Sequence, residues 1–162
     1  MAEIVIAAGS NLGNRQQLIR GAGRFLEKIS EQSIEKSSIW ESEPIGPAEY
    51  PFLNSIAIIE TSLKPAELLT ELKKFEQASG RSPTSVRWGP RLLDLDIIAW
   101  DNLVIQEENL IIPHPEYKNR LFVLLPLQEL RPYWTDPEDG NGIESMITEA
   151  PQMRIYKTSE DW

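Results

Sequence analysis

Cysteine is absent from the 162 residues, and histidine occurs once. Without cysteine there are no disulfides and no thiolate metal sites, and a reducing, cytoplasmic setting is the expectation. Positive charge is scarce as well: 16 Lys and Arg face 25 Asp and Glu, for a formal net charge of −9. Nucleic acids and anionic membranes reward a positive surface, so neither is an expected partner. An acidic protein that binds a polyanion has to gather its few cations in one place or recruit a metal ion. Long hydrophobic runs are missing, since stretches such as Leu121–Leu127 are far too short to span a bilayer. Met1-Ala-Glu-Ile4 lacks the basic region and apolar stretch of a secretory signal. What is present is an apolar fraction of 41%, enough for a packed core, and a length that suits a single domain over residues 1–162.

The pattern along the chain alternates between strand and helix. Glu3–Ala8 is short, apolar and β-branched, which suits a buried strand. Gly9-Ser-Asn-Leu-Gly-Asn14 is a turn whose last residue can cap a helix, and Leu18, Ala22, Phe25, Leu26 and Ile29 then share one helical face. Ile34–Glu43 reads as a second strand, and Pro44, Pro47 and Pro51 mark a loop after it. Phe52–Thr61 reads as a third strand, its alternation imperfect because Asn54 and Ser55 sit among bulky residues. Pro65 opens a second helix, carrying Leu68, Leu69, Leu72, Phe75 and Glu76, which Gly80 stops. Leu92–Trp100 is a fourth strand, with a hairpin turn expected at Asp101-Asn102 and a returning strand at Leu103–Ile105. An apolar helix interrupted by Pro126 follows over Asn119–Leu130, then a polar loop, a small helix and a closing strand. The order β-α-β-β-α-β, with additions, predicts an α+β, ferredoxin-like sandwich: a mainly antiparallel sheet with helices packed on one face.

Chemistry concentrates in Arg87-Trp-Gly-Pro-Arg-Leu-Leu-Asp-Leu-Asp-Ile-Ile98. Strand side chains alternate, so Asp94 and Asp96 point to one face while Leu93, Leu95 and Ile97 point to the other. Two carboxylates held side by side repel each other unless something neutralises them. Magnesium suits the task, because it takes one or two carboxylates and completes its shell with water and substrate phosphates. Two ordinary acids on a solvent-facing strand are the competing reading. The eleven residues Arg81–Arg91 weigh against it, since they place Arg81, Arg87 and Arg91 just before the pair in an otherwise acidic chain. Acids for an ion and arginines for phosphate oxygens are what a magnesium–polyphosphate complex requires. A connector of that length, rich in Gly, Pro and Ser and carrying Trp88, reads as a cover that closes over a ligand.

The same stretch resembles the signature of the 6-hydroxymethyl-7,8-dihydropterin pyrophosphokinases, enzymes of folate synthesis. Gly9-Ser-Asn-Leu-Gly13, Pro44-Ile-Gly46, Phe52-Leu-Asn54, Gly80-Arg81, Ile112-Pro-His114 and Lys118-Asn-Arg120 follow the family's order, so the resemblance covers residues 3 to about 157. It implies transfer of the β,γ-diphosphate of ATP to the pterin hydroxymethyl group with release of AMP, aided by two magnesium ions. It implies Asp94 and Asp96 as metal ligands, and Arg81 and Arg91 acting on the transferring phosphates. Glu76, Arg87, Trp88, Arg91, Ile97, His114 and Arg120 fall on the ATP side. Pro44, Ile45, Gly46, Phe52, Asn54 and Phe122 fall on the pterin side. A flat heteroaromatic suits Phe52 and Phe122, and a planar amide at Asn54 complements an amide-like ring edge. The expected partners are these small molecules alone, with the protein a monomer. Pro83, Asn109, Ile111 and Pro115 depart from residues common in the family, at positions facing the nucleotide or the connector.

Two other readings compete. Another magnesium-dependent nucleotide transferase or phosphohydrolase would keep the acid pair but not the pterin pocket. A non-enzymatic binding module of the same shape would bind no magnesium-nucleotide.

Overall fold

The apolar N-terminal run becomes the strand around which the sheet is built. In the computed structural model, which describes residues 2–44, 50–80 and 92–162, β1 (Ala2–Ser10) lies between β4 (Phe52–Thr61) and β5 (Asp94–Trp100). The six-stranded sheet has the order β5-β1-β4-β3-β8, with β3 at Trp40–Ser42, β8 at Ile155–Lys157, and β2 (Glu35–Lys36) also paired to β4. Each of its pairings is antiparallel. The α+β sandwich with a mainly antiparallel sheet is therefore as the sequence predicts.

Helices cover both faces of the sheet rather than one. Helix α1 (Arg15–Ile29) and helix α2 (Pro65–Ala78) bury Ile19, Ala22, Leu26, Leu68 and Leu72 against Ile4, Ile6, Ile59, Leu95 and Ile97. On the other face, α3 (Leu121–Leu130) and α4 (Ile143–Glu149) bury Leu121, Leu124, Leu127, Ile143 and Met146 against Val5, Ile56, Ile58 and Ile98. The imperfect alternation of Phe52–Thr61 has its cause here: a strand covered on both sides is apolar on both sides, and Leu53–Ile59 is buried without a break.

Local signals set the helix starts. Asn14 caps α1 by accepting the Gln17 amide at 3.1 Å. Pro65 stands at the start of α2, and the Glu67 carboxylate accepts the Lys64 amide at 2.8 Å.

Two strand assignments change. Ile34–Glu43 is not one strand but the two short pieces β2 and β3, because the Ser37-Ser38 step turns its hydrogen bonds elsewhere. Ser37 Oγ accepts the Ile56 amide, and Ser38 is held by Glu129 on α3. The expected hairpin at Asp101-Asn102 does not form. Asp101 adopts φ 47° and exchanges hydrogen bonds with Glu3 across to β1, donating its amide to the Glu3 carbonyl and accepting the Glu3 amide on its carboxylate. The hairpin comes one step later, between β6 (Ile105–Glu107) and β7 (Leu110–Ile112), turning at Glu108-Asn109 in a separate two-stranded sheet. Among the described residues no helix is long and apolar enough to cross a membrane.

Candidate active site

Strand register assembles the site. Asn54, Gly9 and Asp94 lie side by side across β4, β1 and β5, and Ile56, Ala7 and Asp96 form the next row. Leu93, Leu95 and Ile97 fill the core beneath α1 and α2, so the alternating acids face the opposite side, toward α3. Asp94 and Asp96 are half-buried there. Ala7 and Gly9 carry almost no side chain, which leaves a hollow between the acids and Asn54.

That hollow is lined by Ala7, Gly9, Phe52, Asn54, Phe122 and the two acids. A second cavity opens on the outer edge of β5, where α2, the β6–β7 hairpin and the segment around His114 meet, with Glu76, Ile97 and Asn109 among its walls. Asp94, Asp96 and Arg120 line both cavities. The acids thus stand at a junction between an aromatic pocket and a more polar one.

Asn54 is 4% exposed, and its amide is oriented from behind. Its Nδ2 donates to Ser42 Oγ at 2.9 Å and to the Trp40 carbonyl at 3.3 Å. Both partners lie on β3, so the side-chain carbonyl is turned toward Gly9. The Arg120 guanidinium sits 5.7 Å from the centroid of the Phe122 ring, where cation and π face attract. Arg120 also begins α3, its carbonyl accepting the amides of Val123 and Leu124.

His114 is fixed in one tautomer. Its Nδ1 accepts the Glu116 amide at 3.1 Å, so the neutral ring carries its proton on Nε2. Burial, and then the Arg120 charge, push its pKa down to about 4, against the opposite pull of Asp94 and Glu116. At neutral pH this side chain is an uncharged hydrogen-bond donor in the outer cavity. Glu76 is 3% exposed and accepts the Leu95 amide at 2.7 Å. It caps the outer edge of β5 as well as lining that cavity, and Leu95 lies between the two acids.

Of the other residues singled out from the sequence, Ile97 is buried and reaches the outer cavity from beneath. Pro44 is exposed just past β3 and does not line the aromatic pocket. Ile45, Gly46, Arg81, Arg87, Trp88 and Arg91 lie outside the described residues, as does the expected cover over Arg81–Arg91. Several contributors had escaped the sequence reading. Ala7 and Gly9 were signalled by a run of small residues in a strand, Ala7-Ala8-Gly9, which marks close approach by something else. Ser42 had no signal until register placed it opposite Phe52. Lys73 and Glu108 join the outer cavity only through packing of α2 against the hairpin.

The donor set suits a hard divalent ion. Among the described residues no group of three or more His, Cys, Asp or Glu side chains gathers, so two carboxylates would share an ion with water and ligand oxygens, as magnesium prefers.

An acid pair thus stands between two adjoining cavities on an antiparallel sandwich. Residues 5–132 match the model of the 7,8-dihydro-6-hydroxymethylpterin-pyrophosphokinase (HPPK) family. The 2-amino-4-hydroxy-6-hydroxymethyldihydropteridine pyrophosphokinase of Bacillus subtilis is 44% identical over 127 residues, covering 77% of this chain and 75% of that one. The protein of the same name from Synechocystis is 36% identical over 153 residues, covering 94% and 78%. The chain belongs to the HPPK family. Its fold is shared with a crystal structure of Plasmodium falciparum HPPK-DHPS, at a TM-score of 0.69 and 15% identity over 92% of this chain, which spans 43% of that longer one.

Proposed function

We propose that the chain transfers the β,γ-diphosphate of ATP to the hydroxymethyl group of 6-hydroxymethyl-7,8-dihydropterin, forming the pterin diphosphate and AMP. The junction of two cavities at Asp94, Asp96 and Arg120 carries this reading. A diphosphate passed from one ligand to the other must cross that junction.

Phe52 and Phe122 hold the flat pterin in the inner hollow, and the Asn54 side-chain carbonyl accepts N–H donors from the ring edge. The nucleotide occupies the outer cavity, where His114 donates from Nε2 to a phosphate oxygen and the β5 edge, kept in place by Glu76, takes the adenine side. Asp94 and Asp96 hold magnesium, two ions in all, which neutralises phosphate charge and screens the repulsion between the acids. Arg120 reaches the transferring group from both cavities, and Arg81 and Arg91 supply further positive charge to it. With donor and acceptor held in place, the pterin hydroxyl oxygen attacks the β-phosphorus as the bond to the α-phosphate oxygen breaks. Positioning and charge neutralisation account for the acceleration, with no covalent enzyme intermediate. Small molecules are the only partners in this reading, and the protein acts as a cytoplasmic monomer.

The test is to incubate the protein with MgATP and 6-hydroxymethyl-7,8-dihydropterin and identify the nucleotide product. AMP together with pterin diphosphate supports the reading; ADP or inorganic phosphate overturns it. Asp96→Ala is expected to lower kcat/KM by at least about a thousandfold, roughly 4 kcal/mol of transition-state stabilisation. Near-normal turnover in that variant would remove the acid pair from the chemistry.

A further inference from the structure

The aromatic pocket has a back wall, and that wall is held by residues beyond the 5–132 stretch that the family model matches. Phe52 and Asn54 lie on β4 opposite Ser42 and Trp40 of β3. Strand β3 has only three residues, and its outer side is paired with β8: Trp40 with Lys157, Glu41 with Tyr156, Ser42 with Ile155. The grip extends beyond the ladder in both directions. The Glu43 amide donates to the Arg154 carbonyl at 3.0 Å, and the Arg154 amide donates back to the Glu43 carboxylate at 3.0 Å, immediately before Pro44. Thr158 bonds the Ile39 carbonyl through its amide at 2.9 Å and its hydroxyl at 2.7 Å. Trp162 Nε1 donates to the Ser37 carbonyl at 2.7 Å, and Lys36 Nζ reaches the Trp162 carbonyl.

Along residues 36–43, then, the tail pairs with or hydrogen-bonds Lys36, Ser37, Ile39, Trp40, Glu41, Ser42 and Glu43, and Ser38 is bonded by Glu129. The far end of the tail is pinned on α1. A Cβ placed on Gly23 would lie 3.3 Å from the Trp162 ring, so the ring seats where that side chain is missing. Arg20 adds an ion pair to Asp161 at 3.5 Å. Without β8, the segment that orients Asn54 would be a three-residue edge strand, which is marginal on its own.

We propose that the tail Arg154–Trp162 is a positioning element for the acceptor: it fixes β3, and through the Ser42–Asn54 hydrogen bond it sets the geometry of the pterin pocket while leaving the nucleotide cavity alone. Nothing in the tail lines the outer cavity. The inference rests on the pterin reading of the aromatic pocket given above.

Two lesions in the full-length chain test it from opposite sides. Trp162→Ala removes the anchor, whereas Gly23→Leu fills its seat from a helix that gains propensity by the change. Steady-state kinetics are measured for both substrates in each variant. The expected result is a KM for the pterin raised by about tenfold in both, with the KM for MgATP within about twofold of the unaltered protein. Trp162→Phe, which keeps an aromatic side chain at the Gly23 seat but loses the N–H and part of the indole, is expected to raise the pterin KM less than Trp162→Ala does. Parallel rises in both KM values, or an unchanged pterin KM in both variants, would overturn the proposal. An unaltered protein that makes no AMP from the pterin would instead overturn the function itself, and this proposal would fall with it.

Discussion

At the scale of the residue, His114 shows how much a neighbour changes a reading. A lone histidine between two prolines has no evident role in the sequence, and its resemblance-based role is phosphate contact. In the structure the ring is held neutral, by burial and by the Arg120 charge. In the unfolded chain the ring takes up a proton near pH 6.5, whereas in the fold it does so only at about 4. Unfolding therefore binds a proton between those values, so stability falls as pH drops from about 6.5 toward 4 and has no further histidine-linked loss below that. Because this is the chain's single histidine, the test is direct. The imidazole proton resonance of the ligand-free protein is expected not to titrate between pH 8 and about 5. His114→Asn is expected to flatten the decline in melting temperature between pH 6.5 and 5. A resonance that titrates at the ordinary histidine value would show that the ring is hydrated.

At the scale of the element, Glu76 has a double position that sequence could only half reveal. Helical spacing puts it on α2 and only the family resemblance puts it on the nucleotide side, yet its carboxylate accepts the Leu95 amide. A buried amide left without its acceptor costs about 1–3 kcal/mol, and here it lies between the two acids. Glu76→Ala is expected to lower unfolding free energy by that amount and to raise the KM for MgATP, measured by denaturant titration and by kinetics on the same preparation. Unchanged stability would show that the Leu95 amide finds another acceptor. The contrast with other elements is instructive. Phe52–Thr61 and the start of α2 were legible because apolar runs, Pro65 and Gly80 act within a few residues of themselves. The acid pair was legible because period-two alternation needs no knowledge of neighbouring strands. The split of Ile34–Glu43 was not, because it depends on Glu129, Ile56 and the tail, all distant in sequence. The hairpin went to Glu108-Asn109 rather than Asp101-Asn102 because Asp101 is claimed by Glu3. For the same reason Asn54 could be picked out as an odd amide among bulky residues, while Ser42, which aims it, could not.

At the scale of the whole molecule, one sheet separates two cores, and the site lies where the second core is incomplete. Val5, Ile56, Ile58 and Ile98 carry the α3–α4 core toward one end of β1, β4 and β5; at the other end Ala7, Gly9, Asn54, Asp94 and Asp96 replace it with a cavity. On the proposed function, the pterin would complete a layer that side chains finish elsewhere. Because every sheet strand at the centre contributes residues to both cores, neither can come apart without exposing the back of the other. The chain is thus expected to unfold as a single cooperative domain. Leu26→Ala in the first core and Leu124→Ala in the second, both fully buried, are each expected to cost about 3 kcal/mol. Each is expected to shift one common denaturant midpoint, with tryptophan fluorescence and far-ultraviolet circular dichroism coinciding. The two losses should add in the double variant, since the side chains lie on opposite faces of the sheet. A second transition, moved by Leu124→Ala and not by Leu26→Ala, would show instead that the α3–α4 layer melts from an otherwise folded sheet, and the pocket walls at Arg120 and Phe122 would then be lost before the acids.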